Sequence, residues 1–95
     1  MSSIIGSSLH FLHVEDDPLD AELVQNELHS YWPECRVTHV VRKEELRGAL
    51  QQVEFSAVIS DFNLPNLDGM QALWLTRDLR KEMPFIFCSG AIGEE

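Results

Sequence analysis

Apolar residues along this chain fall into two rhythms that alternate. Leu9-His-Phe-Leu-His-Val14, Arg36-Val-Thr-His-Val-Val41, Phe55-Ser-Ala-Val-Ile-Ser-Asp61 and Met83-Pro-Phe-Ile-Phe-Cys88 are short runs rich in β-branched and aromatic residues. Bounded by turn residues, such runs predict buried strands. Between them the apolar positions repeat at helical spacing. Leu19, Leu23, Val24 and Leu28 predict an amphipathic helix from Pro18 to about Ser30. Leu46, Ala49, Leu50 and Val53 predict a second over Lys43–Val53, and Met70, Leu73 and Trp74 mark the buried stripe of a third from Gly69 to about Lys81. Asp17 is a good N-cap and Pro18 suits a first helical turn. Tyr31-Trp32-Pro33 closes the first helix, because Pro33 disfavours helix at the residue before it.

The resulting order is β-α-β-α-β-α-β with short connections. Alternation of this kind predicts an α/β fold, a doubly wound parallel sheet with helices on both faces. Right-handed crossovers leave few topologies, of which the flavodoxin-like strand order 2-1-3-4 is one. Residues 9–95 form one domain, and residues 1–8, small and polar, read as a flexible N-terminal tail. The fourth strand would be an apolar edge, which invites association. Ile86 and its neighbours call for cover that these 95 residues do not supply, so the domain reads as truncated at its C-terminal side.

Charge narrows the function. With 16 acidic and 7 basic residues the formal net charge is -9. The basic residues are scattered, whereas phosphate backbones need clustered Lys and Arg, so nucleic acid is not expected as a partner of this chain. An acidic balance suits a divalent cation or partners with basic faces. No apolar stretch approaches the roughly 20 residues of a membrane span. Cys35 and Cys88 are too far apart for a metal knuckle and read as buried free thiols, which suits a reducing, cytoplasmic setting. The four histidines (His10, His13, His29, His39) show no ligand spacing and read as strand or surface residues. Trp32 and Trp74 read as core or rim packing.

The candidate chemistry sits at strand ends. Glu15-Asp16-Asp17 follows the first strand, Asp61 ends the third, and Ser89 follows the fourth. In an open parallel sheet the carboxyl ends of the strands form the ligand crevice, and in the order 2-1-3-4 the first and third strands are neighbours at the switch point. Glu15, Asp16 and Asp61 would then share one pocket, with Ser89 one strand further on. Like charges gathered there repel unless something positive offsets them. Mg²⁺ takes one or two carboxylates plus waters and phosphate oxygens, and a backbone carbonyl just after Asp61, such as that of Asn63, could add a ligand. Asp61 could then act as a nucleophile toward phosphorus, with the Ser89 hydroxyl donating to phosphoryl oxygens.

Val14-Glu15-Asp16-Asp17, Asp61-Phe-Asn63-Leu-Pro65-Asn-Leu-Asp68-Gly69 and Phe87-Cys-Ser89-Gly90 closely resemble the receiver domain of two-component response regulators. The resemblance runs from about Leu9 to Glu95. It implies that Asp61 is the phosphoacceptor, loaded by a histidine kinase or a histidine phosphotransfer protein. It further implies that Asp16 is the direct Mg²⁺ ligand with Glu15 as its partner, that Asn63 offers its backbone carbonyl to the metal, and that Ser89 turns toward the phosphoryl group. Pro65 and Gly69 would shape the loop and the next helix. The Lys and the aromatic residue that receivers carry on a fifth strand have no counterpart before Glu95, nor have the fourth helix, fifth strand and fifth helix.

Two other functions are consistent with parts of the pattern. A pseudo-receiver or assembly fragment would act by protein contacts alone, with its bare edge covered by dimerisation. A Mg²⁺-dependent hydrolase of the haloacid-dehalogenase type would form an aspartyl phosphate, but it calls for an acid two residues after the nucleophile, where this chain has Asn63.

Overall fold

The computed structural model describes residues 8–61 and 69–88. The elements run β1 (His10–Val14), α1 (Pro18–Tyr31), β2 (Arg36–Val40), α2 (Lys43–Gln52), β3 (Ala57–Asp61), α3 (Gly69–Leu79) and β4 (Phe85–Cys88). The four strands form one sheet in the order β2-β1-β3-β4, and every pairing is parallel. This is the flavodoxin-like order, one of those that the alternating pattern allows.

Strand alternation sends successive side chains to opposite faces. Leu12, Val14, Val40 and Val58 point to one face and meet Leu46 and Leu50 of α2 with Ala72 and Leu75 of α3. Phe11, Ala57 and Ile59 point to the other face, where Leu28 of α1 packs with Cys35 and Val37. The helices therefore divide as α2 and α3 on one side and α1 on the other.

The two ends of α1 and the start of α2 have identifiable causes. The Asp17 carboxylate accepts from the N–H of Leu19 at 2.9 Å and Pro18 opens α1. Trp32 closes that helix by donating its N–H to the Leu28 carbonyl at 2.8 Å. At the start of α2, Glu45 reaches back and its carboxylate accepts from the N–H groups of Val41 and Arg42, at 2.8 and 3.0 Å.

Two expected stripes are corrected. On α1 the buried positions are Ala21 and, in part, Val24 and Leu28, whereas Leu19 and Leu23 are 70% and 65% exposed. The sheet meets only one side of α1, and 21-24-28 is as helical a series as the 19-23 pair, which stands about half a turn away. On α3 the buried positions are Ala72, Leu75 and Thr76; Met70 and Leu73 are half-buried and Trp74 is 63% exposed. Trp74 is therefore neither core nor rim, because it lies two residues from Ala72 on the far side of the helix. Trp32, by contrast, leans on Phe11 with ring centroids 5.7 Å apart. Val53 caps α2 and is exposed instead of completing its apolar face. Cys35 is buried and Cys88 half-buried, and both are free.

On β4 the apolar side chains Ile86 and Phe87 are exposed on opposite faces of the strand. Among the described residues, β4 pairs with β3 alone. No helix among the described residues is long and apolar enough to cross a membrane.

Candidate functional site

β1 and β3 lie side by side at the switch point of the sheet, with Val14 opposite Ser60. One residue further along each strand stand Glu15 and Asp61. Asp16 follows Glu15 as the chain leaves the sheet for the α1 cap. The sheet register thus brings three carboxylates to one place: oxygens of Glu15, Asp16 and Asp61 all lie within 4.8 Å of one another. These are hard oxygen donors, the kind that Mg²⁺ and Ca²⁺ prefer, and their mutual distance leaves room for a single ion between them. The residues present therefore fit the metal that the sequence suggested.

Glu15 is 2% exposed and Asp61 9%. Burial pushes the Glu15 carboxyl up to about 7; the N–H of Asp17, donating to it at 3.2 Å, works in the opposite direction, and the charges of Asp61, Asp20 and Asp16 add to the rise. Asp20, in the first turn of α1, is also raised, by desolvation and then by Asp17, Asp61 and Asp16. Cys88 stands opposite Asp61 in the register of β3 and β4, and its thiol is pushed up to about 11 by burial and then by the charges of Asp61, Glu15 and Asp20. All three groups report one negative field at the mouth of the sheet.

Asp17 is not a member of the cluster and serves as the cap of α1. Asn63, Pro65, Asp68 and Ser89 lie outside the described residues. Of two histidines that showed no ligand spacing, His13 lies buried beside the pocket and His39 is exposed on the neighbouring strand. His13 is completely buried, two residues before Glu15 on the same face, and among the described residues neither ring nitrogen has a partner. Burial and then the neighbouring His39 lower its pKa to about 4. His39 lies opposite it on β2 and its Nε2 bonds to the main-chain carbonyl of Glu15. The signal in the sequence was positional: both fall near the end of a strand whose end carries the acids.

A parallel 2-1-3-4 sheet with an acidic mouth between β1 and β3 defines the class, a doubly wound α/β domain with its site at the switch point. Residues 11–95 match the family model for the response regulator receiver domain, and the chain belongs to that family. Receiver domains are signalling domains of two-component systems. Among curated proteins, the chain is similar to the transcription factor SKN7 of Saccharomyces cerevisiae, 32% identical over 93% of this chain and 14% of that protein. It is also similar to the sensor histidine kinase RcsC of Escherichia coli, 28% identical over 95% of this chain and 9% of that protein. It thus spans a small fraction of either relative. Among solved structures, the receiver domain of the sensor histidine kinase PA1611 from Pseudomonas aeruginosa PAO1 superposes with a TM-score of 0.73 at 27% identity, over 83% of this chain and 65% of that one; a magnesium ion is coordinated in its active site cleft. Full-length FixJ from B. japonicum shares the fold, with a TM-score of 0.74 at 22% identity over 92% of this chain and 43% of that one.

Proposed function

We propose that this receiver domain accepts a phosphoryl group on Asp61 from a histidine kinase or a histidine phosphotransfer protein in the cytoplasm, with Mg²⁺ held by Glu15, Asp16 and Asp61. The convergence of these three carboxylates at the switch point is the observation that carries the reading. In the transfer an Asp61 carboxylate oxygen attacks phosphorus, the bond from phosphorus to the donor imidazole breaks, and the electron pair returns to that ring. Mg²⁺ bound here supplies positive charge against the carboxylates and the incoming phosphoryl oxygens. Asp61 is fixed for attack by its place at the end of β3. Glu15 and Asp16 would hold the cation, the backbone carbonyl of Asn63 would be a further oxygen ligand, and the Ser89 hydroxyl would donate to the phosphoryl group.

The magnesium ion in the cleft of the PA1611 receiver domain supports the choice of cation. Incubation with acetyl phosphate and Mg²⁺, followed by intact mass, tests the reading. A single phosphate adduct that disappears in Asp61→Asn is expected. The absence of an adduct on the whole protein, or an adduct that survives the substitution, overturns it.

A second reading is favoured by the exposed apolar edge at Ile86 and Phe87. In it the domain acts by protein contacts, as a homodimer joined through β4 and without phosphorylation. A monomer by light scattering at high concentration argues against it. Turnover of a phosphomonoester would revive the hydrolase alternative.

A further inference from the structure

Glu15 is clamped to β2 at both polar groups of its main chain. Its N–H donates to the Val40 carbonyl at 3.1 Å, the last rung of the ladder between β1 and β2. In a parallel ladder the next rung would run from the Arg42 N–H to the Glu15 carbonyl. That donor is diverted: β2 ends at Val40, and the N–H groups of Val41 and Arg42 both turn to the Glu45 carboxylate to start α2. His39 Nε2 meets the Glu15 carbonyl in its place. A carbonyl only accepts, so this ring nitrogen carries the proton. The ring has a wall beside it. His13, buried at the paired position of β1, lies with its centroid 5.9 Å away.

We infer that His39 is a positioning residue of the acidic pocket: its Nε2–H replaces the missing ladder bond to the Glu15 carbonyl and so fixes the Glu15–Asp16 peptide, from which both upstream carboxylates project. The inference rests on the metal-binding reading of the site. Without this donor the peptide plane is free to rotate where β1 leaves the sheet, and the two carboxylates lose their common orientation. Partners of this kind, one shell away from the ligands, set how well a site is organised before the ion arrives.

The chemistry of the bond supplies its own test. A glutamine carries its amide nitrogen as far from Cβ as the histidine Nε2, whereas an asparagine carries its nitrogen at the Nδ1 position. His39→Gln, His39→Asn and His39→Ala are compared by Mg²⁺ titration followed through the Asp16 amide resonance, with thermal melts alongside. His39→Gln is expected to bind Mg²⁺ within about twofold of wild type. His39→Asn and His39→Ala are expected to bind about 3- to 10-fold more weakly, the worth of one net hydrogen bond. In both of these the Asp16 amide should already be shifted in the metal-free protein. Wild-type affinity and an unmoved Asp16 resonance in His39→Ala overturn the inference, as does a His39→Gln variant no better than His39→Ala. If wild type itself binds no Mg²⁺, the metal reading fails and the metal-free resonance decides: moved in Ala and Asn but not in Gln upholds the role of His39, and any other pattern overturns it.

Discussion

Glu15 and Asp61 end adjacent parallel strands with carboxylate oxygens within 4.8 Å of each other. The sheet register imposes this proximity; burial first, and then the charge of Asp61 among its neighbours, pushes the Glu15 carboxyl up to about 7. Removing one charge should relieve the strain between them. Asp61→Asn in metal-free buffer at about pH 8, where Glu15 is ionised, is expected to stabilise the domain by about 1 kcal/mol, or roughly 4–8 °C in Tm. Saturating Mg²⁺ should raise the Tm of wild type and have a smaller effect on the variant, since binding to the native state alone adds stability. Thermal melts of both proteins with and without Mg²⁺ check this; an Asp61→Asn protein that melts below metal-free wild type contradicts it.

Stability against pH should show two opposed contributions. The Glu15 carboxyl rises from 4.5 to about 7 on folding, so between those values the folded chain holds more protons than the unfolded one. Its contribution is present below 4.5 and is lost as pH rises through 7. The His13 imidazole falls from 6.5 to about 4, so the unfolded chain holds more protons in that range. Its contribution is present above 6.5 and is lost as pH falls through 4. Between pH 4.5 and 6.5 the two slopes oppose each other. Metal-free wild type is therefore expected to melt at a nearly constant temperature there, whereas Glu15→Gln should lose several degrees on acidification. Scanning calorimetry across this span checks it, and equal slopes in the two proteins would count against the assignment.

The same residues show what the sequence could and could not reveal. The strand order and the meeting of Glu15, Asp16 and Asp61 follow from alternation and from acids placed at strand ends, both of which are local features. The buried faces of α1 and α3 did not follow, because each helix carries two series at helical spacing. Ala21 and Ala72, which mark the true ones, are too small to outweigh Leu19, Leu23 and Trp74 in an apolar pattern. The place of His39 was hidden for another reason. Its bond to Glu15 exists because β2 turns away at Val40 and Glu45 takes the next two N–H groups, a matter of register between distant segments.

The corrected helix face has a direct test. Leu50 is completely buried between the sheet and the helices, whereas Leu23 is mostly exposed. Leu50→Ala should cost about 2–5 kcal/mol through lost burial and the cavity it leaves. Leu23→Ser, on the stripe that the spacing alone would call core, should stay within about 0.5 kcal/mol of wild type. Urea denaturation of both variants separates the two assignments, and a large loss in Leu23→Ser would restore the stripe read from the sequence.

Arg80, just past the end of α3, joins three segments at the opposite end of the sheet from the acids. Its Nε donates to the Leu50 carbonyl of α2 at 2.9 Å, and a terminal guanidinium nitrogen meets the Glu54 carboxylate at 2.8 Å. The two bonds differ in worth. Glu54 is almost fully exposed, and surface ion pairs contribute about 0–1 kcal/mol, screened further by salt. The Leu50 carbonyl is one of the last in α2 and has lost the possibility of a helical partner, so the guanidinium satisfies an acceptor that the helix leaves open. Glu54→Ala is therefore expected to change stability by less than about 0.5 kcal/mol. Arg80→Ala should cost about 1–2 kcal/mol, because it leaves that carbonyl without its charged donor and removes packing by the side-chain stem. High salt should narrow the small effect at Glu54 and leave most of the effect at Arg80. Denaturation of the two single variants and the double variant at low and high salt decides the matter: equal losses at both positions would mean that the ion pair, and not the carbonyl, holds α2 to the end of α3.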